Sequence, residues 1–155
     1  MENPTPLLVQ QLDALLANEK NSIANLANAS ALLMDTLLDI NWAGFYLFDK
    51  NANELILGPF QGKVACMHIA LNSGVVGKAY ATKQTIIVPD VHAFPGHIAC
   101  DSASNAEIVI PIVVNNQYYG VLDIDSPSLD RFSEQDAKTL EIFVTTLASH
   151  LAEPL

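Results

Sequence analysis

The stretch Glu107-Ile-Val-Ile-Pro-Ile-Val-Val-Asn-Asn-Gln-Tyr-Tyr-Gly-Val-Leu-Asp-Ile-Asp-Ser126 decides how the chain folds. Residues 108–114 are apolar and β-branched, the composition of a strand. Asn115 and Asn116 follow, and asparagine tolerates the positive φ that a two-residue hairpin turn needs. Residues 118–125 then read as the return strand. Side chains alternate faces along a strand, so Tyr119, Val121, Asp123 and Asp125 are expected on one face and Gly120, Leu122 and Ile124 on the other. Centring the turn on 115/116 sets Glu107 opposite about position 124, a neighbour of both Asp123 and Asp125. Three carboxylates at one strand end repel one another. At least one is expected to have a raised pKa and to keep its proton near neutrality, and such an acid can donate it. For Asp125 a solvent-facing strand end is an equal reading. Asp123 sits deeper, between Leu122 and Ile124, where a carboxylate needs a partner or a task.

The segment leading into this hairpin, His92-Ala-Phe-Pro-Gly-His-Ile-Ala-Cys-Asp-Ser-Ala-Ser104, cannot form a regular element. Pro95 and Gly96 break helices, and Ser102, Ser104 and Asn105 favour turns. A loop on a rigid scaffold is where chemistry is usually placed. Cys100 lies seven residues before Glu107 and can fold back to the carboxylates. Nearby carboxylates raise a thiol's pKa, which suits a mechanism in which the acid protonates an electrophile's oxygen while the sulfur attacks. His92, His97, Cys100, Asp101 and Cys66 form a rival metal set, but the H-x4-H-x2-C spacing matches no compact zinc pattern. No metal is therefore expected, and the histidines read as loop structure or site lining. The chain lacks a G-x-S-x-G elbow, which argues against a serine triad.

Working outward, residues 6–39 carry leucines and isoleucines at helical spacing and read as two helices broken near 18–21, with Ser22 as a cap for the second. Residues 41–48 and 54–60 form a hairpin, with Trp42, Gly44, Tyr46 and Phe48 on one side. Gly74-Val-Val-Gly77 reads as a glycine turn before a short helix at 78–82, not a phosphate loop. Residues 85–88 are a short strand. Ser133 and Asp136 resemble a capping box for a last helix running to about 152. Hairpins dominate, so the expected fold is α+β: one domain over 1–155, with a helical segment 6–39, sheet and loops 40–126, and a C-terminal helix 133–152. The sheet should be mainly antiparallel, with the terminal helices on one face.

A chain of 155 residues suits one core. No apolar run approaches the roughly 18 residues of a membrane helix, and the N-terminus has no basic signal region, so a cytoplasmic protein is expected. A net charge of −10 argues against nucleic acid and membranes as partners. In a reducing compartment two cysteines are either inert core residues or working thiols, and composition alone favours the inert reading.

Trp-Ala-Gly-Phe-Tyr (42–46), Gly-Pro-Phe-Gln-Gly-Lys (58–63), Ala-Cys (65–66), the 92–104 loop and Gly-Val-Leu-Asp-Ile-Asp-Ser (120–126) closely resemble the free methionine-(R)-sulfoxide reductases, enzymes built on a single GAF domain. The resemblance implies that Cys100 attacks the sulfoxide sulfur and becomes a sulfenic acid. It implies that Cys66 resolves this as a disulfide, recycled by thioredoxin as external reductant, with no bound cofactor. Glu107, Asp123 and Asp125 match the carboxylates that bind the substrate's ammonium and sulfoxide, with Glu107 and Asp125 assisting protonation. Trp42 and Tyr46 match the residues that hold the ε-methyl group. Many family members carry a third cysteine where this chain has Val76, which leaves Cys66 as the intramolecular resolver. The alternative is a GAF-type sensor that binds a small ligand without turnover and is indifferent to loss of Cys100. Dimerisation through terminal helices is expected by fold analogy.

Overall fold

The computed structural model describes residues 4–96 and 103–152. Two helices, α1 (Leu7–Leu16) and α2 (Ser22–Thr36), precede the sheet. Asn21, not Ser22, caps α2: its side-chain oxygen accepts from the Ala24 N–H at 3.0 Å. Ser22 is already helical, and its Oγ accepts from the Ala152 N–H at 3.2 Å instead. The strands are β1 (Trp42–Asp49), β2 (Glu54–Gly62), β3 (His68–Ala70), β4 (Ile86–Val88), β5 (Ala106–Val114) and β6 (Gln117–Ser126). They form one sheet in the order β3-β2-β1-β6-β5-β4, with every pairing antiparallel. β3 escaped the sequence reading because three residues are too few to show an alternation.

The sheet is apolar on both faces. On one side, α1, α2 and α4 (Glu134–Ala148) bury Leu12, Leu26, Leu33, Phe143 and Leu147 against Phe45, Ile108, Leu122 and Ile124. The terminal helices therefore share one face, as expected. Each such side chain contributes about 1.5–3 kcal/mol by leaving water. On the other side, α3 (Gly74–Thr82) packs Val75, Val76 and Tyr80 with Trp42, Tyr46, Val109 and Val121. The short helix begins at Gly74 and not at position 78: φ of +63° at Gly74 turns the chain directly into the helix.

Asn115 and Asn116 make the turn, with φ of 50° and 65°, which is the left-handed pair a tight hairpin requires. The ladder then carries a bulge: Val113 pairs with Tyr118, but Ile112 pairs with Gly120. Tyr119 is the extra residue, and it corrects two expectations. It joins the helix-side core rather than the face of Asp123, and it advances the register so that Glu107 pairs with Asp125, not with Ile124. A bulge of one residue has this effect because side-chain direction has period two.

The Ser133–Asp136 capping box is present, with Asp136 N–H to Ser133 Oγ at 3.0 Å and Ser133 N–H to Asp136 Oδ2 at 2.9 Å. α4 stops at Ala148, short of 152, and the chain tightens there through i to i+3 bonds at His150 and Leu151. No helix among the described residues is long and apolar enough to cross a membrane.

Gly120 pairs with Leu47 and Ile112, and a Cβ there would collide with the Tyr46 carbonyl oxygen. Gly120→Ala is therefore expected to cost about 1–3 kcal/mol. Urea unfolding should show a lower midpoint with an unchanged m-value, and an unchanged midpoint would show that β1 and β6 can separate without cost.

Candidate active site

Three adjacent strands bring the acidic residues together. Glu107 on β5 pairs with Asp125 on β6, which pairs with Trp42 on β1. One step along, Val109 pairs with Asp123, which pairs with Gly44. These residues share the α3 side of the sheet. Their neighbours Ile108, Ile124 and Ala43 lie in the helix-side core, so alternation forces the acidic set to the other face. Carboxylate oxygens of Glu107, Asp123 and Asp125 all lie within 4.8 Å of one another. Glu107 and Asp123 are only 8% and 5% exposed, and Asp125 is half-buried.

Asp123 is the centre of this cluster. Burial holds its carboxyl well above the usual carboxylate range, and the charges of Asp125 and Glu107, with hydrogen bonds to both, push the same way. Among the described residues, its buried Oδ1 has no hydrogen-bond donor. Such an atom waits for a donor. The set of three hard oxygen ligands also suits a hard cation, but proton sharing among the carboxyls uses the same oxygens.

Aromatic side chains wall the space above the acids. Trp42 stacks on Phe60 with ring centroids 5.1 Å apart and on Tyr46 at 6.0 Å. Its indole N–H donates to the Lys63 carbonyl at 3.1 Å. The Tyr46 hydroxyl donates to the Cys66 carbonyl at 2.9 Å. Burial first, and then the charges of Asp123, Asp125 and Glu107, push the Tyr46 phenol upward, so it remains a donor. One hydrogen bond thus ties the aromatic wall to the segment that carries Cys66.

The cavity is lined by these acids and aromatics, by Val64 and Ala65 beside Cys66, and by the first turn of α3 from Ser73 to Val76. Sequence reading missed the α3 turn as a wall. The glycines at 74 and 77 were its signal, read there as a turn alone. Val76, which stands where many members of the resembling family carry a third cysteine, is 5% exposed and supplies an apolar part of the lining.

Cys66 is half-buried and disulfide-bonded. Cys100, the chain's other cysteine, lies outside the described residues, as do His97 and Asp101. His92 does not line the cavity. Its Nε2 lies 3.1 Å from Asn105 Oδ1, and Asn105 Nδ2 donates to the Pro127 carbonyl at 2.7 Å. The Val91 N–H donates to the Asn105 carbonyl at 2.9 Å. These bonds stitch the two ends of the cysteine loop to the end of β6.

Asp123 has a folded pKa above its unfolded value. Its cost is therefore absent below the unfolded pKa and grows as pH rises toward the folded one. Asp123→Asn has no proton to lose, so it is expected to raise Tm at neutral pH by about 2–4 °C per kcal/mol relieved. The gain should vanish near pH ~4. Calorimetry across this range checks it, and an unchanged Tm at neutral pH would mean that Asp123 ionises without cost.

Residues 24–152 match the GAF domain family. The chain is 52% identical to the free methionine-R-sulfoxide reductase of Escherichia coli over 145 residues, covering 94% of this chain and 87% of that one. It is 51% identical to protein YtsP of Bacillus subtilis, covering 98% and 93%. Among solved structures, fRMsr of Staphylococcus aureus in complex with its substrate superposes with a TM-score of 0.89 at 49% identity, covering 98% of this chain and 99% of that chain. The chain belongs to the GAF domain family, in the group that includes the free methionine-R-sulfoxide reductases.

Proposed function

We propose that this chain reduces free L-methionine-(R)-sulfoxide to methionine, using Cys100 and Cys66 as its redox pair. The reading is supported by its similarity to relatives that carry this activity in their names. The observation that carries it is the Asp123 carboxyl, buried, rich in proton affinity and with one oxygen unsatisfied, in a cavity bordered by the disulfide-bonded Cys66 segment.

The chemistry follows from these groups. The substrate's ammonium finds anionic oxygen in the Glu107–Asp123–Asp125 cluster, and its methyl group rests on Trp42 and Tyr46. The Cys100 sulfur attacks the sulfoxide sulfur while the carboxyl cluster, Glu107 and Asp125 included, protonates the sulfoxide oxygen. Methionine leaves, and the oxygen remains on Cys100 as a sulfenic acid. The Cys66 thiol then attacks that sulfur, forms the Cys66–Cys100 disulfide and releases water. Thioredoxin returns both thiols. The net reaction consumes one sulfoxide and one dithiol and yields methionine, a disulfide and water. Val76 has no thiol, so the cycle uses two cysteines. Because a carboxyl must hold a proton to donate it, turnover should fall on the alkaline side as the cluster loses that proton.

The test is NADPH consumption with thioredoxin and its reductase, supplying the R and S epimers of free methionine sulfoxide and a peptide-bound form separately. Turnover of free R alone is expected, abolished by Cys100→Ser and stalling after one cycle in Cys66→Ala. No turnover of any form by freshly reduced protein would contradict the proposal. Binding of the sulfoxide that survives Cys100→Ser without any consumption would instead indicate a sensor.

A further inference from the structure

Val64 and Met67 are 87% and 68% exposed, in a chain that buries most of its large apolar side chains. They flank Ala65 and Cys66 in the segment between β2 and β3. The exposure is not looseness, because the backbone of this segment is tied inward at three points. The Lys63 carbonyl accepts from the Trp42 indole at 3.1 Å, the Cys66 carbonyl from the Tyr46 hydroxyl at 2.9 Å, and the Met67 carbonyl from the Leu57 N–H at 2.9 Å. A fixed, solvent-facing apolar pair thus brackets a disulfide-bonded cysteine. Other apolar side chains, Leu38 and Ile23 among them, are as exposed, but this pair is distinguished by the disulfide-bonded cysteine between its members.

We propose that Val64 and Met67 form the docking surface for a protein dithiol that attacks Cys66. The inference rests on the redox cycle proposed above. The occupant follows from what lies between the two side chains, since a disulfide is opened by a thiolate and a protein dithiol supplies one. Charge points the same way. The chain is acidic overall, with only seven lysines and arginines against seventeen aspartates and glutamates. One of those seven, the exposed Lys63, adjoins Val64 and favours an anionic attacker.

The exchange balances. The partner's thiolate forms a bond to Cys66 Sγ, and the bond to the other cysteine breaks, releasing a thiolate that takes a proton. The partner's second thiol attacks the mixed disulfide, releasing Cys66, which takes the second proton. Two electrons and two protons pass from the dithiol to the chain.

The experiment compares the parent with Met67→Glu and Met67→Leu, driven either by thioredoxin at varied concentration or by dithiothreitol. In Met67→Glu the KM for thioredoxin should rise about tenfold, corresponding to about 1.4 kcal/mol of lost contact. The dithiothreitol-driven rate and the KM for sulfoxide should not change, and Met67→Leu should behave as the parent does. An unchanged KM for thioredoxin in Met67→Glu overturns the proposal. Thioredoxin lacking its resolving cysteine should be trapped on Cys66 of the oxidised parent, and trapping on Cys100 overturns the assignment of the attacked sulfur. Turnover of the parent with dithiothreitol but not thioredoxin overturns the docking surface alone. Turnover with neither overturns the redox cycle, and the docking surface with it.

Discussion

The β5–β6–β1 ladder is the constraint on which the rest depends. It sets Glu107 opposite Asp125 and Asp125 opposite Trp42, with Asp123 one step deeper between Val109 and Gly44. Hydrogen bonds between backbones fix that arrangement, so the acids leave the sheet side by side on one face. Holding a proton relieves their repulsion, and a chain of electrostatic consequences starts there. Burial first, and then the same charges, push the Tyr46 phenol upward, and that phenol holds the carbonyl of Cys66. The acidic cluster, the cavity beside it and the disulfide-bonded Cys66 are thereby coupled through the ends of three interior strands.

This arrangement runs against stability. Burying Asp123 with an unsatisfied oxygen among like charges costs free energy that the apolar packing on both faces offsets. A protein selected for stability alone would place an amide or a hydrocarbon there. The cluster makes sense as a site whose missing donor arrives with a ligand, and the cavity's aromatic wall of Trp42 and Tyr46, with Phe60 stacked on Trp42, gives that ligand an apolar side to rest on.

Much of this was legible in the sequence because strand alternation is a strong rule. The Asn-Asn turn, the faces of β1 and the depth of Asp123 followed from period and composition. What escaped were features set by tertiary packing. Nothing in Tyr118-Tyr119 announces a bulge. It arises where Tyr119 finds the helix-side core while Gly120 lets β6 approach the Tyr46 carbonyl. β3 is too short to carry a pattern, and Asn21 outcompeted Ser22 as a cap by one position because its backbone is extended there. The α3 turn gave only spaced glycines, which report a conformation and not a surface. The roles of the two cysteines came from the family resemblance, since spacing alone left inert thiols, metal ligands and a redox pair open.

The central claim is that this strand register buries Asp123 beside Glu107 and Asp125 and so raises the proton affinity of its carboxyl. Carbon-detected NMR titration of the aspartate and glutamate side-chain carboxyls, assigned through Asp123→Asn, tests it most directly. The account predicts that the Asp123 carboxyl titrates well above the ordinary carboxylate range, because burial and then its acidic neighbours disfavour its charged form. An Asp123 titration near the ordinary value of about 4 would contradict it, and would remove the proton source from the proposed reaction.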